Sequence, residues 1–441
     1  MSRKGKGKRL GGLPAKSPSL ESTSSQTTAP APRFGHRGSL ESGAPISAYG
    51  SYLFDCVALV ICCQKHNRYA LTQIGKGKSN WLPFVALKSA EGWYSAACNR
   101  LKQLLTLSNN SYIQFSAPEM IHIFRLHLPS IARFVNRITF LTYVNADEKN
   151  VNDCCKPLKS GITWVSVSEL MGNRVADLWG PEPVVFVDAV SSGTMEKGAY
   201  TEYTLRDAMK YAPREPPKTY QDEMLKSAQF TEKDVQKLYA EFIQHAFPSQ
   251  YMSAYSFANY MSKIGWKQGD LDLPSTFRAF GFNNFAYLTF HEFLLGIAAL
   301  DKHTNHGGHP GELRCGYIFR YYDSNNDGTL DKNEMFKMTL DILRFKNRPH
   351  DQAAIEAEMT KNMQAINKTA NDSVKQDELL KGVGTMAFRG SSALFRASIP
   401  VLQNINTKRC YDSLSMVSSS SDMGSGRKPR GTCPRCRTKK Y

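Results

Sequence analysis

The chain has no apolar run long enough to cross a bilayer. Its most apolar stretch, Leu53 to Cys63, is broken by Asp55 and falls far short of the ~20 residues a spanning helix needs. The start, Met1-Ser2-Arg3-Lys4, lacks the apolar core of a signal peptide, and without Gly at position 2 it offers no N-myristoylation site. Ten cysteines with no secretory segment imply a reducing compartment and buried free thiols rather than a disulfide framework. These absences lead to the expectation of a soluble cytoplasmic protein with no transmembrane segment, at most peripherally associated with membranes.

The bulk composition is that of a globular protein, 41% hydrophobic and 22% charged, and 441 residues give room for two or three domains. The formal charge of +17 is concentrated at the ends. Residues 1–48 and 417–441 carry a net +6 each, so the middle is near balance. Basic tails attract phosphate, whether of an anionic membrane or of nucleic acid, and also serve simply to solubilise.

Composition divides the chain further. Residues 1–48 are rich in Ser, Pro, Gly, Lys and Arg and are expected to form a disordered basic tail. Residues 49–190 read as an α+β domain. Val57–Cys63 is a buried strand with Arg68–Thr72 as its hairpin partner, and Trp93–Leu107 repeats apolar residues at helical spacing. Ile138–Val144, Ile162–Val167 and Val184–Val187 read as further strands. Residues 191–228, with Pro213, Pro216 and Pro217, read as a linker with a helical stretch near Thr204–Tyr211. Residues 229–385 are expected to be all-α, and 386–441 a C-terminal segment, with a short helix around Ser392–Arg396, running into a second disordered basic tail.

Residues 323–334 carry the strongest motif. Calcium takes six to eight oxygens, and a twelve-residue loop must bring them to one point. Asp323, Asn325 and Asp327 supply side-chain oxygens at positions 1, 3 and 5, and Gly328 permits the turn at position 6. Thr329 offers its carbonyl, Asp331 acts through a water, and Glu334 binds bidentately, while Leu330 joins the short strand that couples paired loops. Amphipathic flanks, with Tyr317, Ile318 and Tyr321 before and Met335, Met338 and Ile342 after, complete an EF-hand. Asn367, Thr369, Asn371 and Glu378 form a second, weaker set, with Asp372 where glycine is expected. Between Phe277 and Phe293 a helix–loop–helix outline keeps only Asn283 and Glu292 as plausible ligands, since Gly281, Phe285 and Ala286 stand at the other key positions.

Phe230-Thr-Glu-Lys-Asp-Val-Gln-Lys-Leu-Tyr-Ala-Glu-Phe242, followed by Phe247-Pro-Ser249, resembles the first, non-binding hand of neuronal calcium sensors such as frequenin and recoverin. Glu312 to Asp323 resembles the helix entering their third. The resemblance implies four EF-hands in two pairs, near 230–264, 270–301, 310–345 and 355–385, and an apolar groove that receives a partner helix. Leu394, Phe395, Ile399, Val401 and Leu402 are expected to cover that groove from within.

In the N-terminal domain, Trp81-Leu-Pro-Phe-Val-Ala-Leu and the segment to Leu101 resemble a worn Nudix box. The family's glycines are replaced by Phe84 and Val85, Glu91 aligns with its first Glu, and Asn99-Arg-Leu-Lys-Gln-Leu104 holds no carboxylate for magnesium. A Nudix-like fold without hydrolase activity is the reading, and an unrelated α+β domain with a chance Leu-Pro helix is its competitor. Cys433-Pro-Arg-Cys436 has half a zinc site's spacing, and His303, His306 and His309 share one Gly-rich link; both are read as unliganded. The expected function is a calcium sensor with one strong site, joined to a non-catalytic binding domain. The alternative is a calcium-regulated Nudix-type nucleoside diphosphate hydrolase with atypical metal ligands.

Overall fold

The computed structural model describes residues 53–397 except 75–78, 89, 107–112, 129–132, 145–160, 173–177, 211–215, 265–270 and 283–285. The segments expected to be basic tails (1–48 and most of 386–441), with Ile399, Val401, Leu402 and the Cys433/Cys436 pair, lie outside the described residues. So does Asn283.

The first half is built on one strand. In β1 (Cys56–Cys63) every residue is buried, because its apolar side chains alternate between two cores. On one face Val57, Leu59 and Ile61 pack with Ala96, Ala97 and Leu101 of α1 (Trp93–Leu104). On the other, Ala58, Val60 and Cys62 pack with Leu170 of α2 (Val167–Met171) and Val187 of α3 (Glu182–Ser191). The strands β2 (Arg68–Ile74), β3 (Ser79–Trp81), β4 (Phe84–Ala86), β5 (Glu119–Leu128), β6 (Arg133–Val144), β7 (Ile162–Ser166) and β8 (Ala199–Tyr203) complete a mixed sheet. Its order is β3-β2-β1-β6-β5-β8, with β4 also on β1 and β7 on β2. β1 and β6 run parallel in register from Cys56↔Arg137 to Cys63↔Val144.

Two expectations are corrected. Val184–Val187 is helical in α3, because Pro181 and Pro183 favour a helix's first turn and deny a strand its donors. The stretch expected to be a linker contributes β8, which pairs parallel to β5, then α4 (Leu205–Ala208) and α5 (Lys218–Ser227). Its alternating Ala-Tyr-Thr-Glu-Tyr pattern at a half-exposed edge carries little hydrophobic signal.

The second half is four helix–loop–helix units. They are α6 (Glu232–Ala246), β9 (Met252–Ser253) and α7 (Ala254–Lys263); α8 (Leu273–Phe280), β10 (Tyr287–Leu288) and α9 (Phe290–Leu300); α10 (Gly308–Tyr322), β11 (Thr329–Leu330) and α11 (Lys332–Phe345); and α12 (Gln352–Gln364), β12 (Val374–Lys375) and α13 (Gln376–Gly384). Short antiparallel bridges couple them in pairs, with Leu288 opposite Met252 and Leu330 opposite Val374. The second helix of each of the first three units starts on a Ser, Thr or Asp N-cap: Ser253, Thr289 and Asp331. The expected helix around Ser392–Arg396 is instead a 3₁₀ turn, Ser391–Ala393, followed by a bend in which Phe395 takes a left-handed φ of 51°. One core runs from Phe124 and Leu126 of β5 through Phe242, Phe293 and Tyr317 to Phe395. Among the described residues no helix is long and apolar enough to cross a membrane. Cys56, Cys62, Cys63 and Cys315 are buried free thiols, and burial pushes those of Cys56 and Cys315 up to about 12.

Candidate functional site

The loop between α10 and α11 is tied together by its own acids. Asp323, the C-cap of α10, accepts the amides of Asp327 at 3.1 Å and Gly328 at 3.0 Å. Glu334 reaches back across the loop, accepting the Ser324 amide at 2.6 Å on one oxygen and the Asp331 amide at 3.1 Å on the other. Asp327 accepts the amide and hydroxyl of Thr329, both at 2.8 Å, and a bond from Asn325 at 2.8 Å. Gly328 has φ +81°, the left-handed region that favours glycine, at the point where the chain doubles back.

Two of these carboxylates are buried, with Asp323 2% and Glu334 6% exposed, and among the described ion pairs neither faces a cation. Burial pushes the Asp323 carboxyl above its ordinary range; the amides of Gly328 and Asp327 oppose this, and the charges of Glu334 and Asp327 add to it. Asp327, at the surface, is held below the ordinary range chiefly by Thr329. The donor set of Asp323, Asn325, Asp327, the Thr329 carbonyl, Asp331 and Glu334 is all oxygen and suits a hard cation such as calcium. Among the described residues, no three His, Cys, Asp or Glu side chains are gathered closely enough to hold an ion. The loop acids are turned onto the loop's own N–H groups.

The other loops have different occupants. In the second unit Glu292 accepts the amides of Phe282 at 2.8 Å and Thr289 at 2.9 Å, the same tie that Glu334 makes. In the fourth, Lys368 stands 2.7 Å from Glu378 and holds that carboxyl below its ordinary range, while also donating to Ser373 O. Asn371 accepts from Lys332 at 3.2 Å, and Thr369 donates to Asp372. Asn367, at φ 60°, closes a turn onto Gln364 O. Of the weaker ligand set, Glu378 is thus already matched by a lysine of its own loop. The sequence carries the signal, a basic residue inside the candidate loop.

The first unit's loop contains no acid, and the sheet domain supplies one. Gln250 lies two residues before Met252, as Gly328 lies two before Leu330. The Gln250 amide donates to Glu182 of α3 at 3.3 Å, the bond that Gly328 makes to Asp323. Glu182 also accepts Trp81 Nε1 at 3.2 Å and pairs with Arg137 of β6 at 3.3 Å, both partners buried. Arg137 in turn donates to the carbonyl of Pro248. Trp179 Nε1 donates to Ala246 O at 2.7 Å, and Phe54 meets Phe247 edge-on at 5.3 Å. No local pattern marks Arg137 or Glu182, because their meaning lies in a contact between the sheet and a loop distant in sequence.

Elsewhere the site residues are dispersed. In α1 no side chain is acidic, and Glu91 is engaged by Asn99 Nδ2 at 3.1 Å. His303 pairs with Asp301, His309 with Glu223 while stacking on Tyr220, and His306 faces Arg314 and Arg396. The three histidines therefore face three separate sets of partners. The apolar groove is filled by the chain itself. Phe395 stacks on Tyr317 at 5.7 Å and meets Phe280 and Tyr321, with Phe388 and Leu394 also buried. Buried Arg314 fastens this segment by donating to the carbonyls of Leu394 at 2.9 Å, Phe395 at 3.2 Å and Ser392 at 3.3 Å.

No family model matches the chain. Solved structures similar to it include two titled as Nudix hydrolases from Nitrosomonas europaea. One is 18% identical over 36% of this chain and 98% of that one, and the other 13% identical over 34% and 81%, each at a TM-score of 0.24. At that TM-score the likeness says nothing about activity.

Proposed function

We propose that the helical half is a calcium-responsive EF-hand module whose one full site is the loop 323–334, with Asp323, Asn325, Asp327, Thr329, Asp331 and Glu334 as ligands. The complete set of oxygen donors on one twelve-residue loop, with Asp323 and Glu334 both buried there, supports this reading most directly. Glu292 of the second unit is buried on its own loop amides in the same way, but Gly281, Phe285 and Ala286 leave it without the companion ligands that Asp323, Asn325 and Asp327 supply here. In this reading the first, second and fourth units are structural, and the Nudix-like sheet domain is a non-catalytic binding module.

Calcium drawing Asp323 and Glu334 off the loop amides would reorient α10 against α11. Tyr317 lies on α10, so that movement bears on the seat of Phe395. A partner helix would then enter the groove by displacing residues 388–397. Calorimetric titration tests the assignment: Glu334→Gln or Asp323→Ala is expected to abolish the strongest calcium site, and retained binding would overturn it. Turnover of a nucleoside diphosphate panel with magnesium would favour the rival hydrolase reading, against which stands an α1 devoid of acids.

A further inference from the structure

The corner where α11 ends, α12 passes and the turn after α13 closes gathers more positive than negative charge. Lys346, the C-cap of α11, lays its side chain over Gly390; a Cβ there would stand 2.5 Å from Lys346 Cε and 3.2 Å from Nζ. Gly390, at φ +100°, is thus what allows Arg389 and its turn to sit under Lys346. Arg348, Lys361 and Arg389 are all exposed and close enough for their charges to act on Lys346, and Glu358 is the one acid acting against them.

The same corner carries the two most exposed large apolar side chains of the described residues. They are Phe345, which precedes Lys346, at 64%, and Met386, on the turn leading to Arg389, at 62%. Apolar anchors ringed by Lys and Arg are the pattern of a surface that seats at a bilayer interface, where each cation near anionic headgroups adds to affinity. A nucleic acid would favour a row of stacking aromatics, and here one anchor is methionine. Residues 417–441 carry charge of the same sign.

We infer that this corner is a docking surface for an anionic lipid bilayer, with Phe345 and Met386 entering the headgroup boundary and Lys346, Arg348, Lys361 and Arg389 contacting lipid phosphates. The test is co-sedimentation of the full chain with phosphatidylcholine vesicles, with and without phosphatidylserine. The wild-type chain is expected to bind only the anionic vesicles, more weakly as salt rises. Lys361→Glu with Arg389→Glu is expected to lower that affinity by about tenfold or more. Phe345→Ser with Met386→Ser is expected to remove the part that survives high salt. Circular dichroism and the calcium titration should be unchanged in both variants; Lys361→Glu alone replaces the charge pair if they change. Unaltered binding by the corner variants would overturn the inference and assign any vesicle affinity to the tails. Wild-type failure to bind anionic vesicles while capturing an oligonucleotide duplex would also overturn it.

Discussion

Replacing Arg137 by Met is expected to destabilise the protein by about 3–5 kcal/mol, because it strands a buried carboxylate. Glu182 would keep only the Trp81 indole at 3.2 Å and the Gln250 amide at 3.3 Å, both neutral donors, and Pro248 O would lose its partner. Glu182→Gln should be comparably costly, since its amide N–H₂ must turn toward Trp81 Nε1 or toward Arg137 and Gln250, all of them donors. The double variant Arg137→Met with Glu182→Leu removes both charges, so its cost should fall short of the summed single effects by about 2 kcal/mol or more. Urea denaturation followed by tryptophan fluorescence suits this contact, because two of the five tryptophans, Trp81 and Trp179, lie in it. An Arg137→Met protein within about 1 kcal/mol of wild type, or strictly additive singles, would refute the view that this pair fastens the sheet domain to the first loop.

Arg314→Ala should cost roughly 2–4 kcal/mol, since four carbonyls lose a buried charged donor, and should raise apolar-dye binding as residues 388–397 loosen; unchanged dye binding would count against the fastening. The His122 ring is lowered from 6.5 to about 4 by burial, with Arg137 adding to the effect and Glu182 opposing it. A depressed folded-state pKa gives stability that is present above pH 6.5 and lost as pH falls toward about 4. Discounted for partial exposure, that is on the order of 1–2 kcal/mol. Urea midpoints at neutral and acid pH should converge in His122→Asn, and an unchanged acid slope would remove His122 from the account.

Much of the site was legible because its information is local. Ligand types at fixed spacing, a turn glycine and flanking apolar stripes all fall between Tyr317 and Ile342. The strand Cys56–Cys63 and the helix Trp93–Leu104 were legible for the same reason, since unbroken or periodic apolarity says which faces are buried. Val184–Val187 was misread because a short apolar run does not by itself separate strand from helix, and the flanking prolines decided it. The edge strand Ala199–Tyr203 was missed because a half-exposed edge with few apolar residues carries little hydrophobic signal.

The sequence alone therefore determined which loop offers a complete oxygen set, and that the segment Asn99–Leu104 holds no acid. Only the tertiary structure decided how the other loops are balanced: the fourth by Lys368, and the first by Arg137 and Glu182 from the sheet half. It also decided that Phe395 stacks on Tyr317 and that the Lys346 side chain lies over Gly390. The physical reason is common to all of these. Charge compensation and burial depend on distance in space, and the bond from Arg137 to Pro248 spans 111 residues of chain.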